Sequence, residues 1–528
     1  MSDLWKRDGR AGLPALFARE WDVLVIGGGI SGAGVLLEAA RRGLRALLVE
    51  QRDFAWGTSS RSSKLVHGGL RYLKDGHLRL TRESVREREA LLRDAPGLVE
   101  PQGFAFPHYA GTRGKRSLLA GLAIYDWLAG RRRRHWIEGD EFLMLAPNVR
   151  REGLQGGIVY GDARTDDARL VLRVLREAQS HGAEAVNYVA ARSLLRADGR
   201  VAGAIVECAL DEGRHDVQHE VRARVVIDAT GAWSGPLHGK GPRLRPLRGS
   251  HLLLPAWRLP LAQAVSLMHP RDGRPVFAYP WEGATLVGTT DLDHGEPMSL
   301  EARITRPEVD YLLAALRAQF PALGLEEADV LATFAGVRPV IAGKGAAPSS
   351  EGREHAVWSE PGLVAIAGGK LTTFRRTALD ALRLVRRELP DWKDPLDARP
   401  VFVPIPFPEA PRNLPASLLR RLHGRLGAHA AALLEGARAD ELAPIPGTET
   451  AWAELRWAAR AEAVHRLDDL LLRRTRIGLL LRGGGEALLP RIRAICQPEL
   501  GWIDARWGRE EAAYLALWKS HYSLPASA

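Results

Sequence analysis

The stretch from Asp22 to Glu50, DVLVIGGGISGAGVLLEAARRGLRALLVE, limits the possible folds of this chain more than any other. Its apolar run Val23 to Ile26 is typical of a buried parallel strand. Glycines with the spacing G-x-G-x-x-G follow. A helix is then predicted from Gly34 to Arg42, which Gly43 ends, and a second strand is predicted from Arg45 to Val49. This order indicates a βαβ unit.

The three motif glycines fit the binding of a dinucleotide. Gly27 permits the tight turn, Gly29 lets a pyrophosphate approach the backbone, and Gly32 lets helix and strand pack closely, with the helix N-terminus facing the anion. Glu50 ends the second strand, where its carboxylate can accept hydrogen bonds from an adenosine ribose. The alternative is a glycine-rich turn in an ordinary βαβ unit, but the complete set of strand, helix, strand and acid favours the nucleotide.

The charge balance indicates acidic partners. A chain of 528 residues can bury large cores and should form two or three domains. Its 74 basic and 63 acidic residues give a net charge of +11, which suits nucleic acid, anionic lipid or a phosphorylated substrate. The sequence has no helix-turn-helix, zinc-finger or RNA-binding motif, so nucleic acid is not predicted as a partner.

The cysteine content and the hydropathy indicate the cellular compartment of the chain. Cys208 and Cys496 are the two cysteines, which excludes a disulfide scaffold and a cysteine-rich metal site, and no metal is predicted. This content fits a reducing compartment. Met1 to Glu20 is polar, and no apolar run approaches the ~20 residues of a membrane-spanning helix. We therefore expect a cytoplasmic chain that can rest on a membrane surface.

A hydroxyl-rich stretch, Asp53 to Leu73, follows the βαβ unit. Small and hydroxyl side chains make a poor core, but they supply many hydrogen-bond donors and let the backbone lie close to a ligand. A disordered serine loop is the alternative, and the interspersed leucines and valine argue against it. We therefore predict that this stretch contacts the ligand.

The apolar segment Arg116 to Gly130 runs directly into Arg131 to Arg134. An apolar helix beside several arginines is what an interfacial membrane anchor needs. The alternative, which we favour slightly, is a buried helix followed by a solvated basic turn, since periodicity does not separate the two.

Three separated segments each have the pattern of a buried strand that ends in a glycine-containing turn: residues 23–32, 225–231 and 363–373. Before the third, Leu244 to Gly345 contains strand-like runs punctuated by glycine and proline, which predicts an antiparallel sheet. Prolines between residues 395 and 415 mark a linker, and the chain beyond them has a helical pattern.

This interleaving resembles FAD-dependent oxidoreductases of the D-amino-acid-oxidase type. Within that class the chain is similar to the aerobic FAD-dependent sn-glycerol-3-phosphate dehydrogenases, from about Asp22 to Leu481. The motifs that carry the resemblance, in chain order, are VIGGGISGAG, TSSRSSKLVHGGLRYL, DDARLVL, DATGAW, GSH, GTTD, GVRP, GGKLTTFR and DDLLLRRTRIGLLL.

The resemblance implies an α/β fold. An FAD-binding Rossmann-like domain would be interleaved with an antiparallel-sheet substrate domain and followed by a C-terminal all-α cap domain. The implied division is a polar lead (1–20), the FAD-binding domain (21–80, 166–244 and 346–392), the substrate domain (81–165 and 245–345), a proline-rich linker (393–416) and the C-terminal helical domain (417–528).

Noncovalently bound FAD is the implied cofactor. The residues that the resemblance assigns to its ADP half are Gly27, Gly29, Gly32 and Glu50. Those assigned to the pyrophosphate and flavin are Thr58, Ser59, Lys64, Leu65 and His67. Those assigned to the isoalloxazine are Gly369, Lys370 and Thr372.

The implied reaction is oxidation of sn-glycerol 3-phosphate to dihydroxyacetone phosphate by hydride transfer to flavin N5. Electrons would pass to a membrane quinone. The expected enzyme is therefore a peripheral protein on the inner face of the cell membrane, in contact with anionic lipid. A homodimer is left open as its assembly state.

A dianionic phosphate substrate needs several fixed cations, and arginine suits it geometrically. The matched motifs supply Arg71, Arg338 and Lys370, and a loop outside them supplies Arg353. Tyr72 can hydrogen-bond the substrate. Each arginine alone fits a surface salt bridge, but the set predicts a clamp for phosphate and hydroxyl.

Oxidation at C2 also needs a base for the hydroxyl proton. His251 is the first candidate, because a histidine titrates near neutral pH. A histidine satisfied within a strand is the alternative reading, and His67 or an arginine-polarised water are alternative bases. Arg338 and Lys370 would stabilise the developing alkoxide, which gives a predicted catalytic set of His251, Lys370 and Arg338.

Three rival functions remain open at this point. One is a glycerol-3-phosphate oxidase that passes electrons to oxygen. A second is a related amine or amino-acid oxidase, which would need a carboxylate clamp and a neutral amine site, and the many cations argue against it. The third, from another class, is a non-catalytic nucleotide-binding or tRNA-binding flavoprotein with a basic surface.

Overall fold

The computed structural model describes residues 3–69, 78–112, 115–130, 134–210, 217–235, 239, 241–342, 354–412 and 414–526. Within them the chain builds two sheets with helices packed against them, and helices predominate from residue 416 onward. The predicted α/β class with a C-terminal helical region is confirmed.

The first sheet carries the glycine turn. Its central strands are short apolar runs with buried side chains, as in a parallel sheet covered by helices. Trp21–Ile26 pairs in parallel with Ala46–Val49 and with Gln218–Asp228, which pairs in parallel with Leu363–Gly368. Within the described residues its eight strands are His355–Glu360, Leu363–Gly368, Gln218–Asp228, Trp21–Ile26, Ala46–Val49 and Glu184–Val186 in spatial order, with Arg200–Cys208 and Val189–Ala197 alongside.

Helices Ile30–Ala40, Asp167–Ser180 and Phe374–Glu388 pack together over this sheet in one apolar core. The first of them begins at Ile30, four residues before the predicted start, because Gly29 is already its extended N-cap. Its N-terminus therefore lies inside the glycine motif, where it favours an anion.

The second sheet is mixed, since Ala264–Met268 pairs in parallel with Val99–Tyr109, and its other described strand pairs are antiparallel. In spatial order its main strands are Leu292–Asp293, Leu244–Pro255, Ala284–Gly288, Pro275–Trp281, Ala264–Met268, Val99–Tyr109, Leu154–Thr165 and Leu65–Val66, with Ala332–Ile341 beside Leu244–Pro255 and His135–Glu138 beside Leu154–Thr165.

The helix Arg306–Gln319 interrupts the stretch from 244 to 345, for which the sequence predicted strands. It begins with a capping box, in which Thr305 and Glu308 satisfy each other's backbone N–H groups. Its buried residues Val309, Leu312 and Leu316 have helical spacing, so the prediction that strands fill this stretch was wrong at this point.

Leu65–Val66 pairs with Leu154–Thr165 in the second sheet, so the expected FAD-binding segment 21–80 contributes a strand to both sheets. We retain the expected domain boundaries as a proposal, with this short strand assigned to the substrate side.

The N-terminal lead packs against the first sheet, and Trp5 Nε1 donates a hydrogen bond to Ala185 O at 2.8 Å. The proline-rich stretch is also packed, because Val401 and Phe402 are buried in the first sheet's core. Within the described residues, no helix combines the length and apolar character needed to cross a membrane.

The remaining α-helices of the described residues are Leu13–Phe17, Leu78–Asp94, Lys115–Ala129, Gly139–Leu145, Ala416–Leu426, Ala430–Gly436, Trp452–Ala461, Ile477–Leu480, Leu489–Leu500 and Asp504–His521.

Candidate active site

The glycine turn has the backbone geometry that the motif predicts. Gly27 has a φ of +113°, and a Cβ there would lie 2.6 Å from the carbonyl oxygen of Ala229. A Cβ at Gly32 would lie 1.9 Å from the oxygen of Gly27, so only glycine lets the helix approach the turn. A Cβ at Gly29 would meet Ser59 Oγ at 3.1 Å. The three glycines therefore keep the turn open at the ends of parallel strands.

Glu50 closes one side of this turn. Its carboxylate accepts hydrogen bonds from Gly28 N–H at 2.6 Å and from Arg52 N–H at 2.9 Å. Burial raises the pKa of Glu50, and these two hydrogen bonds oppose the shift. The ribose contact predicted for Glu50 requires a carboxylate at this strand end, and the structure provides one.

Residues 53–67 form what we call the hydroxyl loop, which joins the predicted site segments. Three hydrogen bonds tie it to its neighbours: Ile30 N–H to Ser59 Oγ at 2.9 Å, Thr58 Oγ1 to Val337 O at 2.5 Å, and Thr372 Oγ1 to His67 O at 3.4 Å. The loop therefore meets the glycine turn, the strand that carries Arg338 and the turn that carries Lys370.

The Lys64 side chain takes part in a buried ion pair. Its ammonium is fully buried and donates to Asp167 Oδ1 at 3.0 Å and to Ser60 O at 2.9 Å. Burial lowers the pKa of Lys64 to about 8, while Asp167 opposes the shift. This side chain is held by a protein carboxylate, so FAD contact at Lys64 stays a prediction for its backbone, as it does for the buried neighbour Leu65.

His251 lies in the strand Leu244–Pro255 and is buried. Its Nε2 is 2.9 Å from Ser63 Oγ of the hydroxyl loop, and its ring stacks on Phe334 with centroids 4.5 Å apart. Burial, and then the positive charges of Arg338 and Lys64, hold the pKa of His251 well below its usual range. Among the described residues, His251 Nδ1 has no hydrogen-bond partner. The imidazole is therefore neutral, with one nitrogen able to accept a proton.

Arg338 lies on the neighbouring strand Ala332–Ile341, where it pairs with Leu247, four residues before His251. Its guanidinium donates to Asp291 Oδ1 at 3.1 Å and to Thr289 Oγ1 at 3.1 Å. The Asp291 side chain is 1% exposed, whereas that of Arg338 is 20% exposed. A buried carboxylate thus orients a guanidinium that an anion can still reach.

Lys370 lies on the turn after the strand Leu363–Gly368, and it is half-buried. Gly369, with a φ of +95°, gives the turn a left-handed conformation that favours glycine. Thr372, which follows, is buried and hydrogen-bonded to the hydroxyl loop. Their predicted contacts with an isoalloxazine stay predictions.

Three predicted substrate residues, Arg71, Tyr72 and Arg353, lie outside the described residues. Their roles stay predictions.

Sequence reasoning missed the residues that position His251 and Arg338. Phe334 and Ser63 hold the imidazole, and a Cβ at Gly288 would lie 2.2 Å from the ring of His251. Thr289 and Asp291 hold Arg338. The sequence signals were the motif GTTD, which includes Gly288, Thr289 and Asp291, and the motif TSSRSSKLVHGGLRYL, which includes Ser63. Neither motif shows these contacts, because contacts between strands leave no local pattern.

Two protein-family models match the sequence of this chain. The model described as FAD dependent oxidoreductase matches residues 22–375, and the model described as C-terminal domain of alpha-glycerophosphate oxidase matches residues 367–507. The chain belongs to the FAD-dependent oxidoreductase family. Membership confirms the predicted enzyme class and FAD as its cofactor.

Aerobic glycerol-3-phosphate dehydrogenases of two bacteria are similar to this chain in sequence. The chain is 41% identical over 381 residues to the aerobic glycerol-3-phosphate dehydrogenase of Bacillus subtilis (strain 168), a match that covers 70% of this chain and 68% of that protein. A Staphylococcus epidermidis protein of the same name is 40% identical over 380 residues, with the same coverage of both chains. The predicted resemblance is therefore confirmed.

Solved structures in this family agree with the fold. The glycerol-3-phosphate dehydrogenase from Bacillus halodurans complexed with FAD superposes with a TM-score of 0.76 at 27% identity, covering 98% of each chain. Glycine oxidase from Geobacillus kaustophilus, at 21% identity and a TM-score of 0.52, covers 70% of this chain and 95% of its own, and shows the shared fold alone.

The residues present fit FAD. Backbone atoms occupy the space that a Cβ would need at Gly27 and Gly32, so the turn packs closely. The helix Ile30–Ala40 points its N-terminus at that turn, and Glu50 supplies the acid at the second strand end. The donor set of backbone N–H groups, hydroxyls and one carboxylate suits a diphosphate joined to ribose.

Proposed function

We propose that this protein is an FAD-dependent glycerol-3-phosphate dehydrogenase that oxidises sn-glycerol 3-phosphate to dihydroxyacetone phosphate. The observation that carries the proposal is the pairing of His251, buried and neutral, with Arg338, whose guanidinium an anion can reach. Both lie beside the hydroxyl loop. The identity to aerobic glycerol-3-phosphate dehydrogenases supports the choice of substrate.

The glycine turn and Glu50 would hold the ADP half of FAD, and the hydroxyl loop and the turn at Gly369 would hold the remainder. FAD, when bound, supplies a hydride acceptor at flavin N5. The protein's own contribution is to orient C2 of the substrate and to remove the hydroxyl proton.

His251 is the proposed base. With a proton on Nε2 donating to Ser63 Oγ, the Nδ1 lone pair is free to accept the C2 hydroxyl proton. Burial and the two positive charges favour the neutral imidazole, which is the form that can accept a proton. Stacking on Phe334 fixes the plane of the ring, so the acceptor nitrogen keeps one direction.

Arg338 is the proposed anchor for the phosphate, and Lys370 adds a second cation on the facing turn. A guanidinium that is held by Asp291 and Thr289 and is 20% exposed would meet a phosphate oxygen in a fixed plane. We also retain Arg71, Tyr72 and Arg353 as substrate-binding residues. This set would bind a phosphorylated substrate in preference to an amine.

A membrane quinone is the proposed electron acceptor, and an anionic lipid surface is the proposed docking site. The helix Lys115–Ala129 supports this, because its Leu122 and Tyr125 are buried while Trp127 is 79% exposed and Ile124 is 44% exposed. Trp127 and Ile124 are three residues apart and share a helix face, as in an interfacial helix. A homodimer stays a proposal that sedimentation of the holoenzyme tests.

Vesicle binding tests the lipid proposal. Trp127→Ala should weaken cosedimentation with vesicles that contain phosphatidylglycerol, because a large exposed side chain is removed from the contact face. Trp257→Ala is the matched control, since Trp257 is equally exposed at 77% but lies in a turn far along the chain. Equal binding by both variants and the wild type would contradict lipid docking through this helix.

Product analysis tests the reaction itself. The holoenzyme is incubated with sn-glycerol 3-phosphate and a short-chain quinone, and dihydroxyacetone phosphate and quinol are measured together. Equal amounts of the two support the proposal. Peroxide formed in proportion to product with no quinol would identify an oxidase, and turnover of an amino acid in place of glycerol 3-phosphate would contradict the substrate assignment.

A further inference from the structure

The motif DDLLLRRTRIGLLL, residues 468–481, has three arginines that the proposed reaction does not use. Arg473, Arg474 and Arg476 are fully buried, with at most 2% of each residue exposed. A buried guanidinium is costly unless carboxylates and hydrogen-bond acceptors surround it. The identity of those partners therefore shows what the motif is for.

Arg473 and Arg474 converge on Asp53, the first residue of the hydroxyl loop. Arg474 binds its carboxylate with two nitrogens, at 2.7 and 2.8 Å, and Arg473 Nε lies 2.5 Å from Asp53 Oδ2. Although burial opposes ionisation, these two arginines hold the pKa of Asp53 below its usual range. The loop's first residue is thus fixed by a buried ion pair with the C-terminal region.

Arg476 holds the middle of the same loop. Its Nη1 donates to Ser60 O at 3.3 Å, its Nε donates to Asp166 Oδ1 at 3.0 Å, and its Nη2 donates to Asp167. Asp167 in turn accepts from Ser62 N–H at 2.9 Å and from Ser62 Oγ at 2.7 Å. One arginine therefore fixes the loop directly at Ser60 and indirectly at Ser62.

The backbone of the motif is shaped for these contacts. Residues Asp469–Arg474 form a π-helical turn, and Arg476 has a left-handed backbone with a φ of +63°. Both conformations are uncommon for such residues and persist only where the surroundings fix them. Together they aim three arginines at one loop.

Another buried arginine of the C-terminal region, Arg456, pairs locally instead. Arg456 binds Glu441 with two nitrogens and Glu499 with a third, and all three residues lie in the C-terminal helices. These hydrogen bonds do not reach the hydroxyl loop, so Arg456 is a matched reference for a buried arginine of the same region.

We propose that Arg473, Arg474 and Arg476 form an arginine clamp, by which the C-terminal region fixes the hydroxyl loop in the conformation that binds FAD. The three arginines are positioning residues, because they act through Asp53, Ser60 and Asp167. The proposal rests on the placement of FAD beside this loop under the proposed function. It assigns the C-terminal region a part in holding the cofactor.

The test compares Arg476→Lys with Arg456→Lys in the holoenzyme. Lysine keeps the charge but lacks the planar fork that reaches three acceptors. FAD dissociation constants are measured from the fluorescence of flavin released on dilution, and visible circular dichroism reports the flavin environment. Arg476→Lys should raise the FAD dissociation constant about tenfold or more, the factor expected for lost charged hydrogen bonds, and should alter the dichroism. Arg456→Lys should leave both unchanged.

Equal FAD affinity for both variants and the wild type would overturn the clamp, and so would an equal loss in both variants, which would indicate general destabilisation. If Arg476→Lys yields no folded protein, Ser62→Ala decides, because it removes the hydroxyl that donates to Asp167 and accepts from Lys64 N–H, and it leaves the bond from Ser62 N–H to Asp167 in place. A rise of about fivefold in the FAD dissociation constant, the factor for one hydrogen bond, supports the clamp, and no rise overturns it. This readout needs no substrate, so failure of the clamp and failure of the proposed reaction are separate results.

Discussion

The arginine clamp and the proposed substrate-binding cations Arg338 and Lys370 both carry positive charge, yet the protein treats these charges differently. In the clamp, Arg474 and its partner Asp53 are fully buried and bound through two nitrogens. Among the substrate-binding cations, Arg338 keeps 20% of its side chain exposed while Asp291 orients it from below. Cations that are buried against carboxylates stabilise the fold, whereas cations that are partly exposed to solvent are available to a substrate.

The largest expected effect is a loss of stability at Asp167, which pairs with Arg476 of the arginine clamp. Asp167→Asn should lower the free energy of unfolding by about 3–5 kcal/mol, because it leaves Lys64 and Arg476 buried beside a neutral amide. Urea denaturation measures this value. Asp380→Asn, which breaks half-exposed ion pairs on the helix Phe374–Glu388, should cost at most about 1 kcal/mol. Equal losses of stability in the two variants would contradict the distinction between buried ion pairs and partly exposed charges.

A large kinetic effect without loss of stability is expected at His251. His251→Asn should slow substrate-dependent reduction of the bound flavin by about 10²–10⁴-fold, the usual contribution of a general base. The amount of bound FAD should stay the same. His429→Asn, a change in the C-terminal helices, is the control and should keep the wild-type rate. Wild-type kinetics in His251→Asn would remove it as the base.

A smaller effect, specific to phosphate, is expected at Arg338. Arg338→Gln should raise the KM for sn-glycerol 3-phosphate by about tenfold to a hundredfold, since a charged hydrogen bond contributes roughly 1.5–3 kcal/mol. Arg258→Gln, which breaks an exposed pair with Asp329, should leave the KM unchanged. The rate with glycerol, which lacks a phosphate, should be equal in Arg338→Gln and the wild type. A parallel loss with both substrates would show that Arg338 does not bind the phosphate.

The smallest expected effect is a pH dependence of stability at Lys64, which pairs with Asp167 beside the arginine clamp. Burial lowers the pKa of Lys64 to about 8, against an ordinary value of 10.5, so the unfolded chain binds this proton more tightly than the folded chain does. The cost of the buried charge is fully present below pH 8 and is relieved as the pH rises to 10.5. The free energy of unfolding of the wild type should therefore rise relative to Lys64→Gln across that interval. A constant difference would contradict the burial of a charged Lys64.

The features that the sequence predicted correctly are local ones. The G-x-G-x-x-G turn, the strand before it and the helix after it follow from residues within a single βαβ unit. The structure begins the strand at Trp21 and the helix at Ile30, and it ends the helix at Ala40. The family resemblance extended this to the order of the domains. Local pattern and chain order therefore account for the cofactor side of the fold.

The contacts that the sequence did not predict join distant segments. Arg473 and Asp53 are 420 positions apart, and no local pattern connects them. For the same reason the sequence did not predict the buried ion pair between Lys64 and Asp167, which are 103 positions apart. The stacking of His251 on Phe334 also depends on how two strands are paired, which their separate sequences do not specify.

The most direct test of the central claim is an anaerobic single turnover. The holoenzyme is mixed with sn-glycerol 3-phosphate, and the absorbance near ~450 nm, which belongs to the oxidised flavin, is followed with time. Rapid bleaching that saturates with substrate in the wild type, and that needs far more substrate in Arg338→Gln, is the predicted result. A flavin that stays oxidised with glycerol 3-phosphate but bleaches with an amino acid would contradict the proposed function.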